Sequence, residues 1–170
     1  MHPTHSPLRH LTLLLVLALA ACRGPSPARH FAETSPGSGA WVAIAAEPAW
    51  VTMPPPRRGH LRRVVESRSN LSEIAVGNLQ ALAEREVAER VLVTLRTVVT
   101  SPEAAAAAAA VPAAIRLVER VRRDEVLTRD PVPGNTLSTA FGLYEVSIGD
   151  VVAPITEPHR ALARAALEKS

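Results

Sequence analysis

Few side chains in this sequence are of a type and spacing that could do chemistry. The one thiol, Cys22, closes an apolar run over residues 11–20 that only Thr12 interrupts, and the small residues Ala20 and Ala21 stand directly before it. A metal site needs several donors on rigid elements. Beyond the leading segment the histidines are His30, His60 and His159, and none has His-Glu-x-x-His spacing. His30 lies in a Pro/Ser/Gly stretch, His60 beside prolines, and His159 near the start of an expected helix, so all three read as exposed side chains. Asp124, Glu125 and Asp130 are the closest approach to a paired-carboxylate acid/base site, but at this spacing they read as surface charge. Gly37-Ser38-Gly39 lacks the Gly-x-Ser-x-Gly frame and the strand–turn–helix setting of a nucleophile elbow. No glycine-rich run ends in Gly-Lys, so there is no phosphate loop. The expectation is therefore no catalytic, cofactor-binding or metal-binding residues, no cofactor, no small-molecule substrate and no enzymatic activity.

What remains is the thiol and the segment that delivers it. Arg9 and His10 precede an apolar stretch over residues 11–19, which ends in two small residues. A charged start, a 7–15-residue apolar middle and a small-residue exit describe a secretory signal. Spanning a bilayer takes about 20 apolar residues, and Arg23 ends this run well short of that. Leu19-Ala20-Ala21-Cys22 resembles the bacterial lipobox. That resemblance implies transfer of a diacylglyceryl group to the Cys22 sulfur, cleavage before it, and acylation of the new amine. It also implies the outer membrane, since Arg23 stands where an aspartate would favour retention at the inner one. More than one acyl chain is needed for lasting attachment, and a triacylated Cys22 would meet that need. With its sulfur so used, the chain has no thiol left for a disulfide or a metal.

The bulk numbers suit this reading. After a leader of residues 1–21, the 170-residue chain has room for one domain. Hydrophobic residues make up 47% but aromatics only 3%, so alanine, valine and leucine must build the core. The net charge of +3 falls to +2 without Arg9. A nucleic-acid binder would show a denser basic face with stacking aromatics, and nucleic acid is not expected as a partner. Residues 22–39 read as lipidated cysteine plus flexible tether, because Pro, Ser and Gly dominate and apolar periodicity is absent. Residues 40–170 are left as a single domain.

Within that domain, Trp41 and Trp50 could pack on the domain or sit at a lipid interface. Pro54-Pro55-Pro56 forces extended backbone. Residues 60–67 read as a strand. Asn70 and Glu73 are placed to cap a long helix, whose apolar stripe would be Leu71, Ala75, Leu79, Leu82, Ala83, Val87 and Val91. Glu86 and Arg90 would pair on its far side, and Gly77 would mark close packing. Over residues 91–99 the period changes to two among β-branched residues, which predicts a strand. Ser101 and Pro102 open a second helix through residues 104–110, all alanine, read as loosely packed or frayed. Pro112 should interrupt it, after which Ile115, Val118 and Val121 predict a helical stripe to about Asp124. Residues 125–129 are a candidate strand, and Pro131, Pro133, Gly134 and Asn135 a turn. Residues 136–148 read as a central strand with Ala140, Tyr144, Val146 and Ile148 on the core face and Leu143 opposite. A closing helix starts near Thr156 with Leu162, Ala166 and Leu167 inward. The sum is an α+β domain: a small, mainly antiparallel sheet with helices packed on one face.

Residues 47–99 and then 141–148 give this domain a family resemblance. With Pro48-Ala49-Trp50, Ala81-Leu82-Ala83-Glu84-Arg85, the valine-rich residues 91–99 and Tyr144-Glu145-Val146, it resembles small outer-membrane lipoproteins of the Lpp-twenty type. That domain is also similar to the N-terminal part of the flagellar assembly protein T. The family's first strand usually ends in Gly-x-Gly, whereas this chain has residues 62–67, RRVVES. The family carries no known catalytic residues, so the resemblance implies an anchored scaffold or interaction domain, with envelope or flagellar-assembly proteins as partners, facing the periplasm or the cell surface. The segment 78–91 also resembles the helix of OmpA-type peptidoglycan binders. Asn78, Leu82, Ala83 and Arg85 sit one residue out of that register, and the Thr-Asp-x-x-Gly loop before it is missing. A peptidoglycan-binding lipoprotein, and a lipid-anchored enzyme with an unrecognised site, are the alternative readings.

Overall fold

The computed structural model describes residues 27–126 and 136–170. The leader, Leu19-Ala20-Ala21-Cys22, Asp130 and the turn expected at residues 131–135 lie outside the described residues. The fold is α+β, as the sequence predicts. Among the described residues, five strands, β1 (Arg29–Glu33), β2 (Trp41–Ile44), β3 (His60–Ser69), β4 (Arg116–Val126) and β5 (Thr136–Ser147), form one sheet in the order β2-β1-β4-β5-β3. Every pairing is antiparallel. The helices are α1 (Ser72–Gly77), α2 (Leu79–Leu95), α3 (Ser101–Ala114), α4 (Ile148–Val152) and α5 (His159–Glu168).

β5 shows how alternation divides the core. Ala140, Tyr144 and Val146 point to the helix side and join a cluster with Val65 and the buried faces of the helices. Phe141 and Leu143 point the other way and, with Val121 and Trp50, make a second cluster on the opposite sheet face. A strand flanked by neighbours on both edges and buried on both faces has no solvent side, which accounts for its nearly unbroken burial. Ile148, expected on the same strand face, begins α4 and still packs in the first cluster. Trp50 sits in a one-turn 3₁₀ segment (Ala49–Val51) and fills the second cluster; of the two uses open to it, packing is the one observed.

Several local expectations are corrected. β1 lies inside the stretch read as tether, and pairs with both β2 and β4. Five residues, Arg-His-Phe-Ala-Glu, are too short a run to show a period against their Pro/Ser/Gly surroundings. The chain then turns back through Gly37 and Gly39, whose φ of 76° and 71° favour glycine. Their N–H groups donate to the Glu33 carboxylate at 3.0 and 2.7 Å. The sheet thus includes residues from Arg29, not from 40.

The strand predicted at residues 91–99 is instead the end of α2, up to Leu95, and the turn that follows it. Val91 and Leu95 continue the four-residue spacing of Leu79, Ala83 and Val87, and all five are buried, whereas Val93 is 61% exposed. Packing of that stripe overrides the β preference of the valines. Leu71, at 50% exposed, lies outside the stripe and caps α1 without a side-chain bond; Asn70 does not cap it. Gly77 has no neighbouring atom within 4 Å of where a Cβ would stand, and marks the joint between α1 and α2 rather than a close contact. Glu86 bonds Arg63 rather than Arg90, and Arg90 reaches the Ser170 carbonyl.

The alanine tract is ordered helix. Ala104, Ala107 and Val111 are fully buried in the first cluster, where small side chains allow α3 to lie close to α2. Thr100, not Ser101, is the N-cap, and Pro112 falls in the last turn of α3 without ending it early. Beyond it the predicted helical stripe is β4. A bulge between Leu117 and Glu119 shifts the strand's phase by one residue, so Val118 and Val121 both serve the second cluster. A three-residue spacing therefore mimics a helix. Glu125 and Val126 end β4; the rest of the strand expected over 125–129 lies outside the described residues. In α5 the inward residues are Ala163 and Leu167, while Leu162 is 55% exposed.

Candidate functional site

Three carboxylates each hold a separate network of arginine or threonine donors. The first is Glu145, only 4% exposed, near the end of β5 between β3 and β4. Register places Arg62 of β3 and Arg116 of β4 directly opposite it on either side. Arg62 donates through Nε and Nη2 at 3.1 and 3.0 Å, Arg57 comes from the preceding loop at 2.5 Å, and Arg116 Nε lies at 3.6 Å. Burial by itself would raise the Glu145 pKa, but the hydrogen bonds from Arg57 and Arg62 outweigh it and hold the carboxyl below the ordinary range.

The second is Glu33 at the end of β1. Arg120 donates to both its oxygens, at 3.1 and 2.5 Å, beside the two glycine N–H groups. Here too these bonds win over burial and the pKa is lowered. Next to it Arg122 stacks between Phe31 and Trp41, 4.8 and 5.1 Å from the ring centroids, and Arg120 lies 5.6 Å from the Trp41 centroid. Asp124, one of the acids considered for proton transfer, is bound by Arg122 at 3.1 Å and by Ser138 at 2.7 Å. Glu125 is bound by Arg123. Both carboxylates are thus engaged in ion pairs along β4.

The third is Glu103 in the first turn of α3. It accepts from the N–H and hydroxyl of Thr100, from the N–H and hydroxyl of Thr156, and from His159 Nδ1 at 2.9 Å. The hydroxyls of Thr156 and Thr100 are the main cause of a pKa pushed down to about 2. The carboxylate thus ties the start of α3 to the start of α5. Because its ordinary value is 4.5, its contribution is present above about pH 4.5 and fades as the pH falls towards about 2. Glu103→Gln should accordingly flatten the pH dependence of stability between pH 4.5 and 2. Urea unfolding at a series of pH values checks this, and an unchanged slope would show that the tie carries no linkage.

The three histidines are brought to different places. His30 is on β1 opposite Arg123, His60 opens β3 with Nδ1 on the Arg58 carbonyl, and His159 is on Glu103. Among the described residues no group of three or more His, Cys, Asp or Glu is arranged to hold a metal ion.

Sequence reasoning passed over a hollow that the fold assembles. A groove of about 680 Å³ runs between the loop at Pro54–Gly59, the start of β3, α2 and the end of α5. Its floor includes Leu61, Val87, Ile148 and Leu167; its rim carries Arg57, Arg58, Arg63 and Arg90, with Glu168 as the one acidic side chain in the lining among the described residues. The signal was present as two arginine doublets, Arg57-Arg58 and Arg62-Arg63, beside three prolines. Gly59, with φ of 71°, turns the chain between them, and its carbonyl accepts from the Ile148 N–H, holding the loop against α4. Such an arrangement can recognise carboxylate or phosphate groups by charge-assisted hydrogen bonds. No protein-family model, curated protein or solved structure matches this chain.

Proposed function

We propose that this chain is a bacterial lipoprotein of the outer membrane. Residues 1–21 direct export, acyl chains on Cys22 hold the chain at the bilayer, and the α+β domain serves as a non-enzymatic protein-interaction module of the cell envelope. The observation that carries the reading is Leu19-Ala20-Ala21-Cys22 at the end of an apolar run too short to span. Acyl chains contribute about 0.8 kcal/mol per buried CH₂, so several chains on one sulfur and one amine suffice without a spanning helix. Among the described residues no helix is long and apolar enough to cross a membrane. An interaction role is supported by the arginine-rimmed groove, which offers charge and apolar floor together.

Cells grown with labelled palmitate test the anchor. Wild-type chain is expected to take up label and sediment with membranes, whereas Cys22→Ala is expected to lose label and appear in the soluble fraction. Equal labelling of the two would overturn the anchor. Retention of the purified chain on peptidoglycan sacculi would replace a protein partner by the cell wall.

A further inference from the structure

β3 is a boundary strand. It pairs with β5 over all ten residues from His60 to Ser69, and among the described residues no backbone group bonds to its other edge beyond Leu61. An open edge of this kind is a row of N–H and C=O groups ready to accept another strand. Two hollows flank it. The groove of about 680 Å³ lies on the helix side, and a second of about 320 Å³, lined by Val51, Thr52, Val64, Glu66 and Phe141, lies on the opposite face. Both are bordered by Pro54, Arg62 and Arg63, so they meet across the strand itself.

We propose that this edge takes up an extended, acidic segment of a partner polypeptide as an added antiparallel or parallel strand. The inference rests on the interaction-domain reading but not on the lipid anchor. Main-chain bonds along β3 would supply affinity, and side chains alternating above and below the new strand would enter the two hollows. Charge selects the occupant. Arg57, Arg58, Arg62 and Arg63 fall within seven residues at one end of the edge, and Arg90 faces them across the groove. Arg58 has no carboxylate partner among the described residues, and Arg57 remains 49% exposed while bound to Glu145. The acids that line the two hollows are fewer than the arginines: Glu168 stands across the groove at the end of α5, and Glu66 is bonded to Arg68. A partner with carboxylates at alternate positions would meet these guanidiniums in the geometry they favour.

The test uses the intact chain, purified in mild detergent, and a fluorescein-labelled acetyl-(Val-Glu)₄-amide peptide read by anisotropy. The same peptide with lysine for glutamate, and the acidic peptide N-methylated at alternate residues, are the comparisons. The acidic peptide is expected to bind at least about tenfold more tightly than the basic one, and N-methylation should abolish binding because it removes the ladder donors. Arg58→Glu, at an exposed position without an ion pair, should weaken binding about tenfold with an unchanged circular-dichroism spectrum. Amide exchange of outward-facing groups in β3 should slow on binding. Equal binding of acidic and basic peptides, indifference to N-methylation, or no binding would each overturn the proposal. So would a chain that sediments as a dimer whose β3 amides are already protected, since the edge would then belong to a second copy. Because no membrane enters the assay, its failure is distinct from failure of the anchor.

Discussion

Tyr144→Ala is expected to destabilise the folded chain by about 3–5 kcal/mol, the range for emptying an aromatic site in a packed core. Among the described residues Tyr144 is the largest fully buried side chain, at 1% exposed, in a core where alanine and valine supply most of the rest. Its ring leans back along its own strand over Gly142. A methyl group at Gly142 would lie 2.5 Å from the ring's Cε2 and 3.3 Å from Cδ2. The ring is packed and cannot swing aside cheaply, so Gly142→Ala should cost about 1–3 kcal/mol by overfilling the same space. The two changes share one volume and should not add. Gly142→Ala combined with Tyr144→Ala should be less destabilised than the sum of the single variants. Urea unfolding measures all four species. Additive effects would show that the ring and the glycine are independent. Burial also pushes the Tyr144 phenol up to about 12, so it stays neutral across the working pH range and its role is volume rather than charge.

Glu145→Ala is expected to be the next most damaging change. Three arginines converge on this carboxylate, and removing it leaves Arg62, 17% exposed, beside an apolar sheet face without its bidentate partner. Breaking a buried ion pair costs about 3–5 kcal/mol. Here Arg57 and Arg116 are 49% and 63% exposed and regain water, so a loss of about 2–3 kcal/mol is the expected result. The pH dependence has a definite sign. Glu145 and Glu33 both have folded pKa values below 4.5, so their stabilisation is in place above about pH 4.5 and is lost as acid protonates the folded carboxylates. Wild-type chain should weaken steadily below pH 4.5, and Glu145→Ala should show a shallower decline from a lower starting point. A variant as stable as wild type at pH 7 would show that the arginine cluster is surface decoration.

The parts of the fold that were legible are those in which period and burial agree. β5 alternates between two apolar clusters, and its core face was readable from Ala140, Tyr144 and Val146 alone. The stripe from Leu79 to Val91 was readable because four-residue spacing on a solvated helix has no other explanation. The errors arise where two patterns overlap. In residues 91–95 a valine-rich helix end imitates alternation, because Val93 is exposed between two buried residues. In β4 the bulge puts Val118 and Val121 on one face and imitates a helix. β1 was hidden by its length, since its pairing on both sides, not its composition, makes it a strand. The site was the least legible part. That Glu145 meets Arg62 and Arg116 follows from strand register, and register depends on which strands are neighbours. The groove likewise needs β3, α2 and α5 brought together from three distant segments. The arginine doublets were visible in the sequence, but their common direction was not.

Mass spectrometry of the mature N-terminus, on protein recovered from the membrane fraction of cells that express the full chain, tests the central claim most directly. The account predicts a first residue of Cys22 carrying a thioether-linked diacylglycerol and an acylated amine. A mature chain that begins at another residue, or begins at Cys22 with an unmodified thiol, would contradict it.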